Sequence, residues 1–139
     1  MATMTARFSK IHVETRAREE IVDITDLVAR EARASGFNSG TCTIFSMHTT
    51  CAITVNENAD PDVKLDLLAG LARTFPRSAS YRHVEGNSDA HLKVSTVGPS
   101  VTVIVDGGVL VLGTWQGIML CEFDGPRRRT VSISVQGIT

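Results

Sequence analysis

Five polar side chains with proton-transfer or metal-binding chemistry fall within eleven residues of this chain. They are His83, Glu85, Asn87, Asp89 and His91 of YRHVEGNSDAH. Imidazole and carboxylate serve both as metal ligands and as general acids and bases. An Asn carboxamide between them can orient a substrate or a water. Glu85-Gly86-Asn87-Ser88-Asp89 has the composition of a loop, so these groups need not share a regular face. His83 and His91 are eight positions apart, too far for a helical i,i+4 pair, and nothing resembles an HExxH zinc signature. The spacing alone leaves solvated loop histidines and a functional site both open.

Two distant segments carry the other candidates. In HTTCAITVNENAD (His48 to Asp60), Cys51, Ile53, Val55 and Glu57 alternate with Ala52, Thr54 and Asn56, which predicts a strand ending in a carboxylate. Glu57 there is either an acid/base group or a solvated strand end, and His48 either a ligand or a structural histidine. In GTWQGIMLCEFDGPRRR (Gly113 to Arg129), Ile118, Leu120, Glu122 and Asp124 fall on one strand face. Two carboxylates so placed can split their pKa values and divide acid and base roles. One of Arg127, Arg128 and Arg129 can bind phosphate or carboxylate, or the run can be a solvated edge. There is no glycine-rich phosphate loop and no nucleophile elbow, and Cys51 has no base beside it in sequence. A buried, inert thiol is the expected state of Cys51.

Regular elements must bring these segments together. Residues Ala6 to Thr15 alternate as a strand, with Arg7, Ser9, Ile11 and Val13 on one side. DITDLVAREARASG reads as a helix capped by Asp23 and closed by Gly36, with Ile24, Leu27, Val28 and Ala32 on one stripe. Gly40 to Asn56 is rich in Thr, Ile, Val and Phe and gives one long strand or two. Asp60-Pro61 supplies an N-cap and a first-turn proline for a second helix that stops at Phe75-Pro76. Leu92 to Val97 fits a helical turn or a short strand. Val101–Val105 and Val109–Leu112 predict a hairpin turning at Asp106-Gly107, and Gly117–Phe123 and Thr130–Val135 add two strands. The expected class is α+β: a largely antiparallel, barrel-like sheet with two main helices in one domain over residues 1–139.

Composition narrows the function classes. With 42% hydrophobic and 21% charged residues the 139-residue chain reads as one ordinary globular domain, not a disordered one. A formal net charge of −1 provides no general basic field for nucleic acid or an anionic membrane. The three cysteines, Cys42, Cys51 and Cys121, are odd in number and lack a CxxC pair, which points to reduced thiols and a cytoplasmic protein. MATMTARFSK has no signal-peptide core, and no segment reaches membrane-span length.

Taken in order, HTTCAITVNENADP, YRHVEGNSDAHLK and GTWQGIMLCEFDGPRRR resemble the YjbQ family, also called secondary thiamine-phosphate synthases. The resemblance spans nearly the whole chain. It implies a homotrimer with a shared polar cleft near subunit boundaries, often holding a metal ion or an anion. It also implies a weak coupling of pyrimidine and thiazole phosphates to thiamine phosphate, with self and a phosphorylated small molecule as partners. On that resemblance His48, His83 and His91 become the expected ligands of a divalent ion, zinc or magnesium. Glu57, Asp89 and Glu122 become the expected catalytic groups, and Thr49, Asn56, Asn87, Gln116 and Arg127 the expected substrate-binding groups, while Asp60 is both cap and site residue. A non-catalytic metal- or metabolite-binding protein and a metal-assisted hydrolase are the rival expectations.

Overall fold

Alternation in the sequence becomes two antiparallel sheets in the computed structural model, which describes residues 4–139. The chain runs β1 (Thr5–Glu14), β2 (Glu20–Asp23), α1 (Thr25–Ser35), β3 (Ser39–Ser46), β4 (Cys51–Glu57), α2 (Pro61–Thr74), α3 (Ser88–Val97), β5 (Ser100–Asp106), β6 (Val109–Leu110), β7 (Gln116–Glu122) and β8 (Arg128–Ile138). The larger sheet has the order β1-β8-β3-β5-β6 and the smaller β2-β7-β4. Their inner faces enclose one apolar cluster, including Val28 of α1, Ile44, Ile53, Leu120 and Ile133. This is the expected α+β class, with a curled, antiparallel sheet system in a single domain. Among the described residues, no helix is long and apolar enough to cross a membrane.

Local chemistry explains most boundaries. Asp60 accepts from the Asp62 N–H at 2.9 Å with Pro61 in the first turn, so α2 starts where its cap places it. Helix α1 begins one residue later than an Asp23 cap requires; Asp23 instead holds both the Thr25 N–H and its hydroxyl. Gly36, at φ 72°, closes α1 in the left-handed conformation.

Leu92–Val97 takes the helical one of its two alternatives; the correction is that α3 begins at Ser88, so Asp89 and His91 sit on a helix and not in a loop. The polar run misleads because its capping chemistry is also loop chemistry. Among the described residues α3 is thus a third helix beside the two main ones expected. The hairpin turns one residue later than expected: Asp106 pairs with Val109, and Gly107 and Gly108 take φ of 60° and 74°. Two adjacent glycines satisfy the paired positive φ of that turn at lower cost than Asp-Gly.

The helices are unequal in packing. Helix α3 buries Ala90, Lys93 and Val94 against Ala52, Cys121 and Phe123. Helix α2 has no fully buried residue; Leu68 and Leu71 rest against the same cluster while Leu65 is 62% exposed.

Candidate functional site

The three polar segments meet where β7 ends and β8 begins. Glu122 and Arg129, which bracket that connection, form a fully buried ion pair in which Arg129 Nε donates to Glu122 Oε1 at 2.8 Å and Nη2 donates to Oε2. Glu122 also accepts from the Thr15 hydroxyl at 2.7 Å and from the Asp124 N–H at 3.1 Å. Arg129 reaches the Thr50 hydroxyl at 2.9 Å. Every lone pair direction of the carboxylate thus has a donor, which is what a buried charge pair requires to be tolerated. Thr15 works in both directions, since its hydroxyl oxygen accepts the Arg127 N–H at 2.8 Å. Gly125 is needed where this connection presses on residues 15–17: a Cβ there would lie 2.3 Å from the Ala17 carbonyl oxygen.

Above this pair lies a cleft of about 630 Å³ bordered by His48, Thr49, Asn87, His91, Asp124 and Arg127, with Glu85 at its rim. Asp124 accepts from Asn87 Nδ2 at 2.8 Å and from Arg127 Nη2 at 3.2 Å, so it ties the N-terminus of α3 to the arginine. Asn87 Oδ1 is buried and, among the described residues, has no hydrogen-bond partner. His83 stacks edge-on against His91, with ring centroids 5.3 Å apart, and shares a 2.9 Å hydrogen bond with Ser88.

His48 has a fixed chemical state. The Thr130 N–H donates to its Nε2 at 2.8 Å, which leaves the proton on Nδ1. Burial and the nearby Arg129 cation hold its pKa below the ordinary value, partly opposed by Glu122. His48, which borders the cleft, is therefore held neutral with its proton on Nδ1. The cysteines are inert: burial pushes Cys42 to about 11 and Cys51 and Cys121 to about 12.

The expected site residues divide into three groups. His48, Thr49, Asn87, His91 and Arg127 border the cleft, and His83 adjoins it through His91. Glu122 and Asp89 are buried and do not border it. Asp89 is fully buried, held by Arg18 at 3.1 Å and Lys93 at 2.9 Å, with Lys93 in turn 3.2 Å from Glu19. Burial acts to raise the Asp89 pKa, but hydrogen bonds from Arg18 and Lys93 outweigh it and hold the carboxyl below its ordinary range. Both carboxylates are anchors in this arrangement. Glu57, Asn56 and Gln116 are remote: Glu57 pairs with Gln116, six positions along β4 from Cys51, which pairs with Glu122. At the rise of an extended strand that is about 20 Å. Asp60 caps α2 and does not border the cleft.

The three histidines do not form a metal cage within one chain. His48 Nε2 is taken by a backbone N–H, and His83 Nδ1 by Ser88. Among the described residues, no group of three or more His, Cys, Asp or Glu side chains is placed to hold an ion.

Of the two carboxylates that sequence reasoning paired on β7, Asp124 borders the cleft and Glu122 does not, and Arg129 was missed as the partner of Glu122. Arg129 carries a readable signal: it is in phase with the buried Val131, Ile133 and Val135 of β8 and so points inward.

Two antiparallel sheets with three helices and a polar cleft at the β7–β8 connection define a small α+β protein. The family model described as "UPF0047 protein YjbQ-like" matches residues 9–138. The chain belongs to this YjbQ/UPF0047 family. It is 50% identical to the UPF0047 protein YugU of Bacillus subtilis over 91% of this chain and 97% of that protein. Identity is 47% to a UPF0047 protein of Methanocaldococcus jannaschii, over 92% and 93% of the two chains. Among solved structures, a YbjQ-like protein of unknown function from Sulfolobus solfataricus superposes with a TM-score of 0.94 at 37% identity, covering 97% of this chain and 99% of that one. A family member from Clostridium acetobutylicum gives a TM-score of 0.90 at 46% identity, over 91% and 98%.

Proposed function

We propose that the cleft binds a small phosphorylated metabolite and supports a transferase-type coupling like that of the secondary thiamine-phosphate synthases. In that reaction a thiazole ring nitrogen attacks the methylene of a pyrimidine diphosphate. A C–N bond forms, the C–O bond breaks, and pyrophosphate leaves with the electron pair. The nucleophile is a free lone pair, so no general base is required. The demand falls on stabilising a departing anion.

One observation carries this reading: the cleft offers donors, while the inward carboxylates are each neutralised by an arginine. Arg127 pairs with Asp124 and Arg129 with Glu122, and His48 presents Nδ1–H. An anion entering here meets Arg127, which stands mostly in solvent and can turn to it, together with a neutral imidazole donor. With no cage for a resident ion, any divalent metal is assigned to the ligand's own phosphate groups. Three free, buried cysteines support a reducing, cytoplasmic setting.

The assembly belongs to the same proposal. The outer face of the larger sheet carries the exposed Phe8 and Ile104 among serines and threonines. Such a face in a small protein supports association of copies as the expected homotrimer. Glu57 and Gln116 then serve only a neighbouring copy's cleft, being too far from their own.

The test is a coupling assay with the pyrimidine diphosphate and the thiazole phosphate, reading thiamine phosphate by chromatography. Product is expected, and Arg127→Ala should lower the rate about 10-fold to 100-fold, the scale of one charge-assisted contact to a developing anion. No product from protein that still binds phosphate would place the chain with the non-catalytic binders.

A further inference from the structure

Beside the cleft, Ser88 and His83 form a pair that the coupling proposed above does not use. Ser88 opens α3 and is almost fully buried, and its hydroxyl oxygen lies 2.9 Å from His83 Nδ1. The contact of the same hydroxyl with the His83 carbonyl oxygen is longer, at 3.4 Å, and the weaker claim on its proton. With Ser88 donating to Nδ1, the ring proton sits on Nε2, which stands 3.7 Å from Glu85 Oε2. That is longer than a hydrogen bond but close enough to favour an imidazolium once one forms. Serine, histidine and carboxylate thus follow one another as in hydrolases that act through an acylated serine. Ser88 and His83 also line a cavity of their own, of about 400 Å³, walled by Tyr81, Leu92 and the His91 ring, with the Arg82 cation on its lining. Asn87, at the N-cap, gives the first turn of α3 no side-chain acceptor, so that turn keeps backbone N–H donors beside the hydroxyl.

We propose that Ser88 is the nucleophile of a second, acyl-transfer site that hydrolyses small, uncharged carboxylic esters. The Ser88 oxygen attacks the ester carbonyl carbon as its proton passes to His83 Nδ1. The C–O bond to the alcohol breaks, and the alcohol leaves with that proton, so the acyl group remains on Ser88. Water then adds to the acyl carbon and gives a proton to His83. The bond to Ser88 breaks, Ser88 regains the proton, and the carboxylic acid departs. The sum is ester plus water to acid plus alcohol, with no other reactant. The first-turn N–H groups of α3 stabilise the charge that develops on the carbonyl oxygen in both steps. Glu85 is a positioning residue: it holds His83 and steadies its cation without touching substrate. Tyr81 and Leu92 supply the apolar wall for the acyl group, and a cavity at the small end of ligand sites limits the substrate to short esters. The phosphate chemistry of the cleft plays no part in these steps.

The probe is p-nitrophenyl acetate with the purified full-length protein. Nitrophenol release is followed by absorbance, and the acyl intermediate is trapped by acid quench and located by peptide mass spectrometry. The acetyl group is expected on Ser88. His83→Gln should lower turnover by about 10²-fold or more, the scale of a lost general base. Ser88→Ala should abolish the labelled peptide, and Ser88→Cys should carry the acetyl group as a thioester, with thermal midpoints reporting whether each variant is folded. Glu85→Gln should lower kcat about threefold with KM unchanged, the worth of an exposed ion pair felt only as His83 takes up its proton. Acetyl groups confined to lysine or histidine side chains overturn the proposal, as does a wild-type rate in Ser88→Ala. Absence of hydrolysis above the buffer rate in the wild type overturns it too. If Ser88→Ala does not fold, a wild-type rate in His83→Gln or a Ser88→Cys variant left unacylated counts against it in the same way.

Discussion

At the scale of single residues, the site is a set of charges held by other charges. Arg129→Met leaves Glu122 buried beside Thr15 without its cation, and the expected loss is about 3–5 kcal/mol in denaturant unfolding. Retention of wild-type stability would show the pair to be dispensable. His48 gives a second expectation, in pH. Its folded pKa lies below the ordinary 6.5, so the unfolded chain takes up a proton that the folded chain refuses. Its contribution to stability is therefore intact above about 6.5 and declines as pH falls through the interval below that value. Thermal midpoints recorded between pH 7.5 and 5.5 should show this slope in the wild type and a shallower one in His48→Asn. Asp89 acts in the same direction at lower pH, with its stabilisation lost as pH falls through its depressed pKa. These roles were only half legible in the sequence. Residue types marked His48, Glu122 and Asp89 as notable, but whether a carboxylate faces a ligand or an arginine depends on contacts more than 70 positions apart, such as Arg18 with Asp89.

At the scale of elements, strand alternation and capping chemistry were read correctly where they act locally. The Ile11 and Val13 face of β1 and the Asp60-Pro61 start of α2 are examples. Alternation failed for β7, where Gly117 to Glu122 are all buried because the strand is central in its sheet and covered on both faces. The in-phase row there told which residues share a face but not which face is open. Helix α3 was mistaken because its first turn is made of residues equally at home in a loop. The β7–β8 connection yields a prediction at this scale. Gly125→Ala places a methyl group against backbone and must displace the connection. A cost of about 1–3 kcal/mol is expected, together with weaker phosphate binding as Arg127 moves. An alanine variant with native stability and affinity would mean the connection relaxes freely.

At the scale of the whole molecule, the trimer is an expectation drawn from the family resemblance, and single-chain patterning leaves it open. Two-period alternation tells which side of a strand faces out, and nothing in it says whether a second copy covers that side. Sedimentation of the purified protein at micromolar concentration is expected to give a trimer, and Ile104→Lys on the outer sheet face should shift it toward monomer. A wild-type monomer at that concentration removes the assembly. The lightly seated α2 has its own consequence for how the molecule fails on heating. Its cooperative attachment is weaker than that of the sheets, so it forms a separate unit of opening. When it lifts away, Leu68 and Leu71 leave the cluster that backs α3, and with α3 goes the support of His91. Heat should therefore silence the cleft while the strands are still protected from solvent deuterium, making the working lifetime of the protein shorter than the lifetime of its fold.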